Sequence, residues 1–193
     1  ILSIMKERIL VTGGTGYIGS HTVVELQNSG YDVVIVDNLS NSSADVVDNI
    51  EKVSGIRPAF EKLDSLDLEG MDKLFTKYPG IKGIIHFAAS KAVGESVQKP
   101  LLYYRNNLVS LINLLELMPK HGVEGIIFSS SCTVYGQPDV LPATEEAPIK
   151  KAESPYGNTK QINEEIIRDT VASGSPINAI MLRYFNPIGA HPT

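Results

Sequence analysis

The sequence predicts a doubly wound α/β fold, in which helices cover both faces of a parallel β-sheet. Short apolar runs rich in β-branched residues alternate with longer segments of helical spacing. The runs are apolar almost throughout, which is typical of strands buried on both faces. A glycine-rich turn joins the first run to the first helical segment. A chain of 193 residues can bury the core of one such domain, and we expect residues 1–193 to form it.

Six short apolar runs are the predicted strands. They are Ile9–Thr12, Val33–Val36, Ile84–Phe87, Gly125–Ser129 and Ala179–Leu182, with a weaker run at Pro58–Leu63. Because the chain between them is mostly helical in pattern, the strands are predicted to form a parallel sheet covered by helices on both faces.

Two helices are predicted from spacing, and a third from its start signals. Tyr17–Asn28 and Leu101–Met118 carry apolar residues at intervals of three and four, and glycine follows each at positions 30 and 122. The third opens with Ser154 as N-cap and Pro155 in the first turn.

Composition excludes several classes of protein. The single cysteine, Cys132, cannot form an internal disulfide, which favours a reducing compartment, and we expect the cytoplasm. The formal net charge of −5 argues against a nucleic-acid partner. No apolar stretch approaches the roughly 20 residues that span a bilayer, so no membrane partner is expected.

Three glycines follow the first strand at intervals of three. Gly13 permits a tight turn, Gly16 lets the backbone approach a pyrophosphate, and Gly19 lets the helix pack closely. The phosphates would lie at the N-terminus of the Tyr17–Asn28 helix, where free N–H groups favour anions. Placed between a strand and a helix, the pattern indicates a Rossmann-type dinucleotide-binding domain.

An acidic residue ends the second predicted strand. Asp37 lies 18 residues after Gly19, where a carboxylate can accept hydrogen bonds from an adenosine ribose and repel a 2′-phosphate. This position predicts NAD rather than NADP. The alternative is that Asp37 only caps the turn at 38–43.

A tyrosine and a lysine lie four residues apart on the third helix. A free phenol has a pKa of about 10. Nearby positive charges, from Lys160 and a bound nicotinamide, would lower the pKa of Tyr156 and make it a base for an alcohol proton. A serine at the end of the fifth strand, within 129–136, could hold the substrate oxygen. The alternative is an ordinary pairing on an amphipathic helix.

Motifs over nearly the whole chain are shared with one enzyme family. They are Val11–His21, Asp37–Ser42, His86–Ser96, Tyr103–Asn107, Ser129–Gly136, Pro155–Lys160 and Leu182–Pro192. On these motifs the chain resembles the extended short-chain dehydrogenase/reductase family, and within it the enzymes that epimerise UDP-hexoses. Lys91–Ser96 and Arg183–Pro192 are the most specific of them.

The resemblance implies a role for each site residue. Tyr156 is the base, Lys160 its electrostatic partner and a ribose ligand, and Ser131 the group that bonds the sugar hydroxyl. The implied cofactor contacts are Gly13, Gly16, Tyr17, Ile18 and Gly19 at the pyrophosphate; Asp37, Asn38, Leu39, Ser40, Asn41 and Ser42 at the adenosine; Asp64 and Ser65 at the adenine edge; and Phe87, Ala88, Ala89, Lys91, Asn106, Tyr156, Lys160 and Phe185 in the nicotinamide half. The implied substrate contacts are Ser131, Thr133, Tyr156 and Asn186, and no residue is assigned to a metal.

The implied reaction is the NAD-dependent interconversion of UDP-galactose and UDP-glucose. Tyr156 would remove the 4-hydroxyl proton while C4 gives hydride to NAD⁺, and the hydride would return to the other face of a 4-keto sugar. Three alternatives remain: an epimerase of another nucleotide sugar, a 4,6-dehydratase, and a non-catalytic dinucleotide-binding regulator. A dehydratase usually carries Asp-Glu where Cys132 and Thr133 stand here.

The resemblance also implies features of the complete protein. Family members continue into a C-terminal lobe that grips the uridine, and we expect that lobe to follow Thr193. Related enzymes pair two helices from each subunit, so Leu101–Met118 and the helix after Tyr156 predict a homodimer. Cys132 stands where alanine is frequent, and no catalysis is expected from its thiol.

Overall fold

Six parallel strands form one sheet in the computed structural model, which describes residues 6–191. Their order across the sheet is β3-β2-β1-β4-β5-β6. The strands are β1 (Arg8–Thr12), β2 (Asp32–Asp37), β3 (Ala59–Lys62), β4 (Ile81–His86), β5 (Gly125–Ser131) and β6 (Asn178–Tyr184). The helices are α1 (Tyr17–Asn28), α2 (Asp45–Ser54), α3 (Leu68–Lys77), α4 (Val93–Gln98), α5 (Pro100–Lys120) and α6 (Pro155–Ala172), with a short 3₁₀ turn at Cys132–Tyr135.

Alternate strand residues build two hydrophobic cores, one on each face of the sheet. Leu10, Val34 and Ile84 pack against α3, α5 and α6. Val11 and Ile35 lie on the opposite face and pack against α1 and α2. Because successive side chains of a strand point to opposite faces, a continuous apolar run contributes residues to both cores. The predicted doubly wound sheet is confirmed.

Most predicted boundaries hold within three residues. The helix predicted at Tyr17–Asn28 has those bounds, and Gly30 and Gly122 adopt φ of 92° and 68° just after α1 and α5. β4 begins three residues earlier than predicted because Ile81 pairs with Arg8 of β1. Pairing with a neighbouring strand can extend a strand beyond the residues whose β propensity predicts it.

The carboxyl ends of the strands meet at one edge of the sheet. Strand order reverses between β1 and β4, which opens the crevice where ligands bind in such sheets. The predicted site residues follow these strand ends. Pro192, the last residue of the C-terminal motif, lies outside the described residues. Among residues 6–191, no helix has both the length and the apolar character that crossing a membrane requires.

Candidate active site

The glycine loop packs against the first residues after β4. Gly13 has φ of 70°, and a Cβ built on it would lie 2.7 Å from the backbone N of Ala88. A Cβ on Gly19 would lie 2.2 Å from the carbonyl O of Gly13. Both obstacles are backbone atoms, which cannot rotate away as a side chain can. The loop therefore requires glycine at both positions.

The start of α1 is suited to a diphosphate. Gly16 is its N-cap, no side chain caps the helix, and the first turn carries no acidic residue. The first N–H groups of a helix lack intrahelical partners and attract anions. Tyr17 and Ile18, assigned to the pyrophosphate, are the first two residues of this helix. The tyrosine hydroxyl donates to the Gly189 carbonyl, which joins the C-terminal segment to the first residue of α1.

Asp37 joins the glycine loop to the turn that follows β2. Its carboxylate accepts hydrogen bonds from the N–H of Leu39 at 2.9 Å, the hydroxyl of Ser42 at 3.1 Å and the N–H of Thr15 at 3.3 Å. The turn is tight, since Leu39 has φ of 60°. Asp37 therefore caps the turn, as the alternative interpretation expected, and it also contacts the glycine loop through Thr15. Its assignment to the adenosine ribose remains a prediction.

The residues assigned to the adenine edge lie next to the same turn. Asn38 donates to the Asp64 carboxylate at 2.9 Å, and Asn113 of α5 donates to the Ser65 carbonyl at 2.9 Å. Ser40 donates its N–H to the Asn38 side chain. The segments after β2 and β3 are thus held together around one end of the crevice.

Buried polar residues anchor the loop that follows β4. The N–H of Phe87 donates to Thr12 O, and Asn106 donates to the Ser90 hydroxyl at 3.0 Å. Asn107 accepts the Ser90 N–H at 2.8 Å and donates to the Ser90 carbonyl and to Thr159 of α6. Asn107 has no role among the residues predicted from the sequence. The sequence feature that could have indicated it is an amide side chain on the buried face of a helix, where apolar residues are the rule.

Tyr156, Lys160 and Ser131 come together where β5 meets α6. Nζ of Lys160 lies 5.8 Å from the centre of the Tyr156 ring and donates to the Ser129 carbonyl at 2.6 Å. Ser131 is the last residue of β5, and its hydroxyl accepts the Thr133 N–H at 3.2 Å. The hydroxyl oxygen of Thr133 is buried and has no hydrogen-bond partner within the described residues. An incoming hydroxyl group could supply that partner.

Burial dominates the electrostatics of these groups. It raises the pKa of Tyr156, and a hydrogen bond with Ser131 offsets the rise only in part. Burial also lowers the pKa of Lys160 to about 8. The expected lowering of the phenol pKa is not seen in the protein alone, because Lys160 directs its ammonium to a carbonyl and shares the desolvated environment.

The remaining predicted residues lie at the surface. Phe185 is 58% exposed, and Asn186 and Lys91 are exposed as well. Their assigned roles in the nicotinamide half and at the sugar remain predictions. Ala88 lies beside Gly13 of the glycine loop and is half-buried, as is Ala89, which follows it.

The family follows from a match along nearly the whole chain. Residues 9–193 match the profile of the NAD dependent epimerase/dehydratase family. The chain belongs to this family. The family resemblance drawn from the motifs is therefore confirmed.

Similar proteins from this family are UDP-glucose 4-epimerases. That of Dictyostelium discoideum is 51% identical over 189 residues, which are 98% of this chain and 54% of the relative. That of Bacillus subtilis is 52% identical over 185 residues, which are 96% and 54% of the two chains. A crystal structure of UDP-glucose 4-epimerase from Bifidobacterium longum in complex with NAD⁺ and UDP superposes with a TM-score of 0.93 at 48% identity, covering 95% of this chain and 55% of that one. The chain spans about half the length of the curated relatives it matches.

Proposed function

We propose that the complete gene product interconverts UDP-galactose and UDP-glucose with NAD. The observation that carries the proposal is the convergence of Ser131, Tyr156 and Lys160 at the carboxyl edge of the sheet, the edge from which the glycine loop also leaves β1. Relatives of this chain that are named UDP-glucose 4-epimerase support the choice of substrate. A cytoplasmic location fits a chain whose single cysteine forms no internal disulfide.

The described residues fit NAD. The uncapped start of α1 offers N–H groups to the pyrophosphate, and Asp37 lies where an adenosine ribose would accept and donate hydrogen bonds. The negative charge of Asp37 disfavours the additional phosphate of NADP. When bound, NAD supplies a carbon that accepts hydride from the sugar and later returns it.

Each catalytic residue has one task. Tyr156 takes the proton of the 4-hydroxyl and gives it back, Ser131 holds that hydroxyl by a hydrogen bond, and Lys160 places a positive charge next to the phenol. A phenol whose pKa is raised by burial stays protonated at neutral pH and cannot accept a proton. A neighbouring cation is therefore needed to lower the pKa of Tyr156 toward neutral pH. The positively charged nicotinamide of bound NAD⁺ fits this need.

A dehydratase is less well supported by the same residues. Elimination of water needs an acid and a base beside the sugar, and Cys132 and Thr133 occupy the turn directly after Ser131. Neither side chain is a carboxyl group. An epimerase of another nucleotide sugar remains the second candidate, because relatives in this fold include a UDP-Glc/GlcNAc 4-epimerase from Campylobacter jejuni, 36% identical with a TM-score of 0.86.

We also propose that the complete protein forms a homodimer through α5 and α6. Leu101, Val109 and Ile112 recur along one side of α5 and are 81%, 37% and 37% exposed. Such a stripe on a long helix favours burial against a second copy, and two-fold dimers are the commonest oligomer.

Tyr156→Phe in the complete gene product tests the reaction. We expect NAD and UDP-sugar binding to persist and kcat to fall by at least about 100-fold, because only proton transfer is lost. Tyr78→Phe, which removes a hydroxyl bonded to Glu61 away from the strand ends, is the matched control and should retain wild-type turnover. Near-wild-type turnover of Tyr156→Phe would contradict the assignment. A regulator would show no reduced-nicotinamide absorbance after UDP-sugar is added.

A further inference from the structure

A carboxylate without an assigned role lies behind the candidate active site. Glu164 of α6 is 1% exposed. Its Oε1 accepts hydrogen bonds from the Ser130 hydroxyl at 2.6 Å and from Nε of Arg183 at 2.9 Å. Its Oε2 accepts bonds from Arg183 at 2.8 Å and from Arg168 at 2.7 Å. One side chain therefore joins α6 to two neighbouring strands.

The two strand residues reach Glu164 because of their register. Ser130 of β5 pairs with Arg183 of β6, so both side chains project from adjacent positions on the same face. The guanidinium of Arg183 also lies 4.8 Å from the centre of the Tyr135 ring in the turn after β5. The cluster thus fixes β5, β6 and the intervening turn against α6.

Two of the elements held by this cluster, β5 and α6, carry candidate active-site residues close by. Ser131 immediately follows Ser130 on β5. Lys160 precedes Glu164 by one helical turn on α6, and Tyr156 precedes it by two. Small shifts of these elements would change the distances among all three groups.

A buried ionic cluster is not required for stability alone. Replacing such clusters by apolar residues of similar volume is often neutral or stabilising, because desolvation of the charges offsets their attraction. The charges here also set the orientation of α6 relative to β6, since a bidentate guanidinium–carboxylate pair fixes orientation as well as distance. Apolar contacts could hold α6 on the sheet without specifying its position along the strands.

We propose that Glu164 is a positioning residue, which holds α6, β5 and β6 so that Ser131 meets Tyr156 and Lys160. The inference rests on the proposed function of that site. Glu164 itself lies behind the crevice and acts only through the elements that it joins.

The test compares Glu164→Gln and Glu164→Asp in the complete gene product, with the exposed neighbour Glu165→Gln as control. Gln removes the charge at constant size. Asp keeps the charge but is one methylene shorter and cannot hold every partner. We expect kcat per NAD-loaded molecule to fall by about 100-fold in both, with KM changed less than about threefold, because misplacement by about 1 Å acts on the reacting geometry. Asp should recover the melting temperature lost in Gln without recovering kcat.

A second measurement does not depend on turnover. The ionisation of Tyr156 is followed in the cofactor-free protein by ultraviolet difference spectra against Tyr156→Phe. Tyr156 faces Lys160 on its own helix, Ser131 at the end of β5, Cys132 in the turn that follows β5, and Tyr103 on α5. Because Ser131 lowers the phenol pKa, both Glu164 variants should raise it, whereas Glu165→Gln should not.

The outcomes are distinguishable. Full recovery of kcat in Glu164→Asp, or a Tyr156 pKa equal to wild type in both variants, would overturn the positioning role and leave a purely structural one. If Glu164→Gln fails to fold, Glu164→Asp and Ser130→Ala carry the test, since each retains the charge of the cluster. If the wild-type protein interconverts no UDP-sugar, the proposed function fails, while the Tyr156 titration still decides whether Glu164 positions Ser131.

Discussion

Gly19→Ala is the substitution for which the glycine loop makes the most definite prediction. The added Cβ would lie 2.2 Å from the carbonyl O of Gly13 and 2.9 Å from Cα of Gly14. Ordinary contacts of this kind begin near 3.4 Å, so α1 and the loop must separate by roughly 1 Å. Overpacking of this kind costs up to about 3 kcal/mol. Alanine in a helix recovers about 1 kcal/mol relative to glycine. We expect a net loss of about 2 kcal/mol, or roughly 4–8 °C in melting temperature for a chain of this size.

The same shift of α1 should weaken the binding of NAD. The helix N–H groups that face the pyrophosphate would move with α1, and losing two charge-assisted hydrogen bonds of about 1.5 kcal/mol each lowers affinity about 100-fold. Isothermal titration with NAD and thermal unfolding without it measure the two effects separately.

Gly94→Ala is the matched control. Gly94 lies in α4, is exposed, and a Cβ there would meet nothing within 4 Å. The same change should therefore leave melting temperature and NAD affinity at or slightly above wild type. A Gly19→Ala protein that melts with wild type and binds NAD within about threefold would refute the steric reasoning.

Three further substitutions test other parts of the molecule. Asp37→Asn should reduce the ratio of NAD affinity to NADP affinity about tenfold, because one charge-assisted hydrogen bond is weakened. Titration with both cofactors measures this ratio, with the exposed Asp169→Asn as control. An unchanged affinity ratio would remove Asp37 from the ribose site. His86 is buried with a pKa lowered to about 3, so the unfolded chain binds more protons below pH 6.5 and stability falls as pH decreases toward 3. The stability of wild type relative to His86→Asn, from urea unfolding, should drop by about 2 kcal/mol between pH 7 and pH 5, and a constant difference would contradict the buried neutral histidine. Ile112→Glu should reduce the light-scattering mass of the complete protein from two chains to one, whereas Leu68→Glu, similarly exposed on α3, should not; two chains in Ile112→Glu would place the interface elsewhere.

Local signals were sufficient for the fold and for part of the site. The bounds of α1 follow from a glycine turn at its start and Gly30 after its end, both of which lie within a few residues of the helix. Apolar runs marked the strands, since a strand buried on both faces leaves no polar positions. The spacing of Tyr156 and Lys160 likewise follows from the period of a single helix.

Contacts between distant segments were decided only by the tertiary structure. Glu164 meets Ser130 and Arg183 because β5 and β6 pair in one register, and a shift of one residue would turn either side chain to the other face. The raised pKa of Tyr156 has the same origin, since burial depends on what the neighbouring elements place around the phenol. The residue types and their order therefore determined the sheet, the glycine loop and the tyrosine–lysine pair. Strand register and desolvation, which depend on residues far apart in the chain, decided how the charges of the site are held.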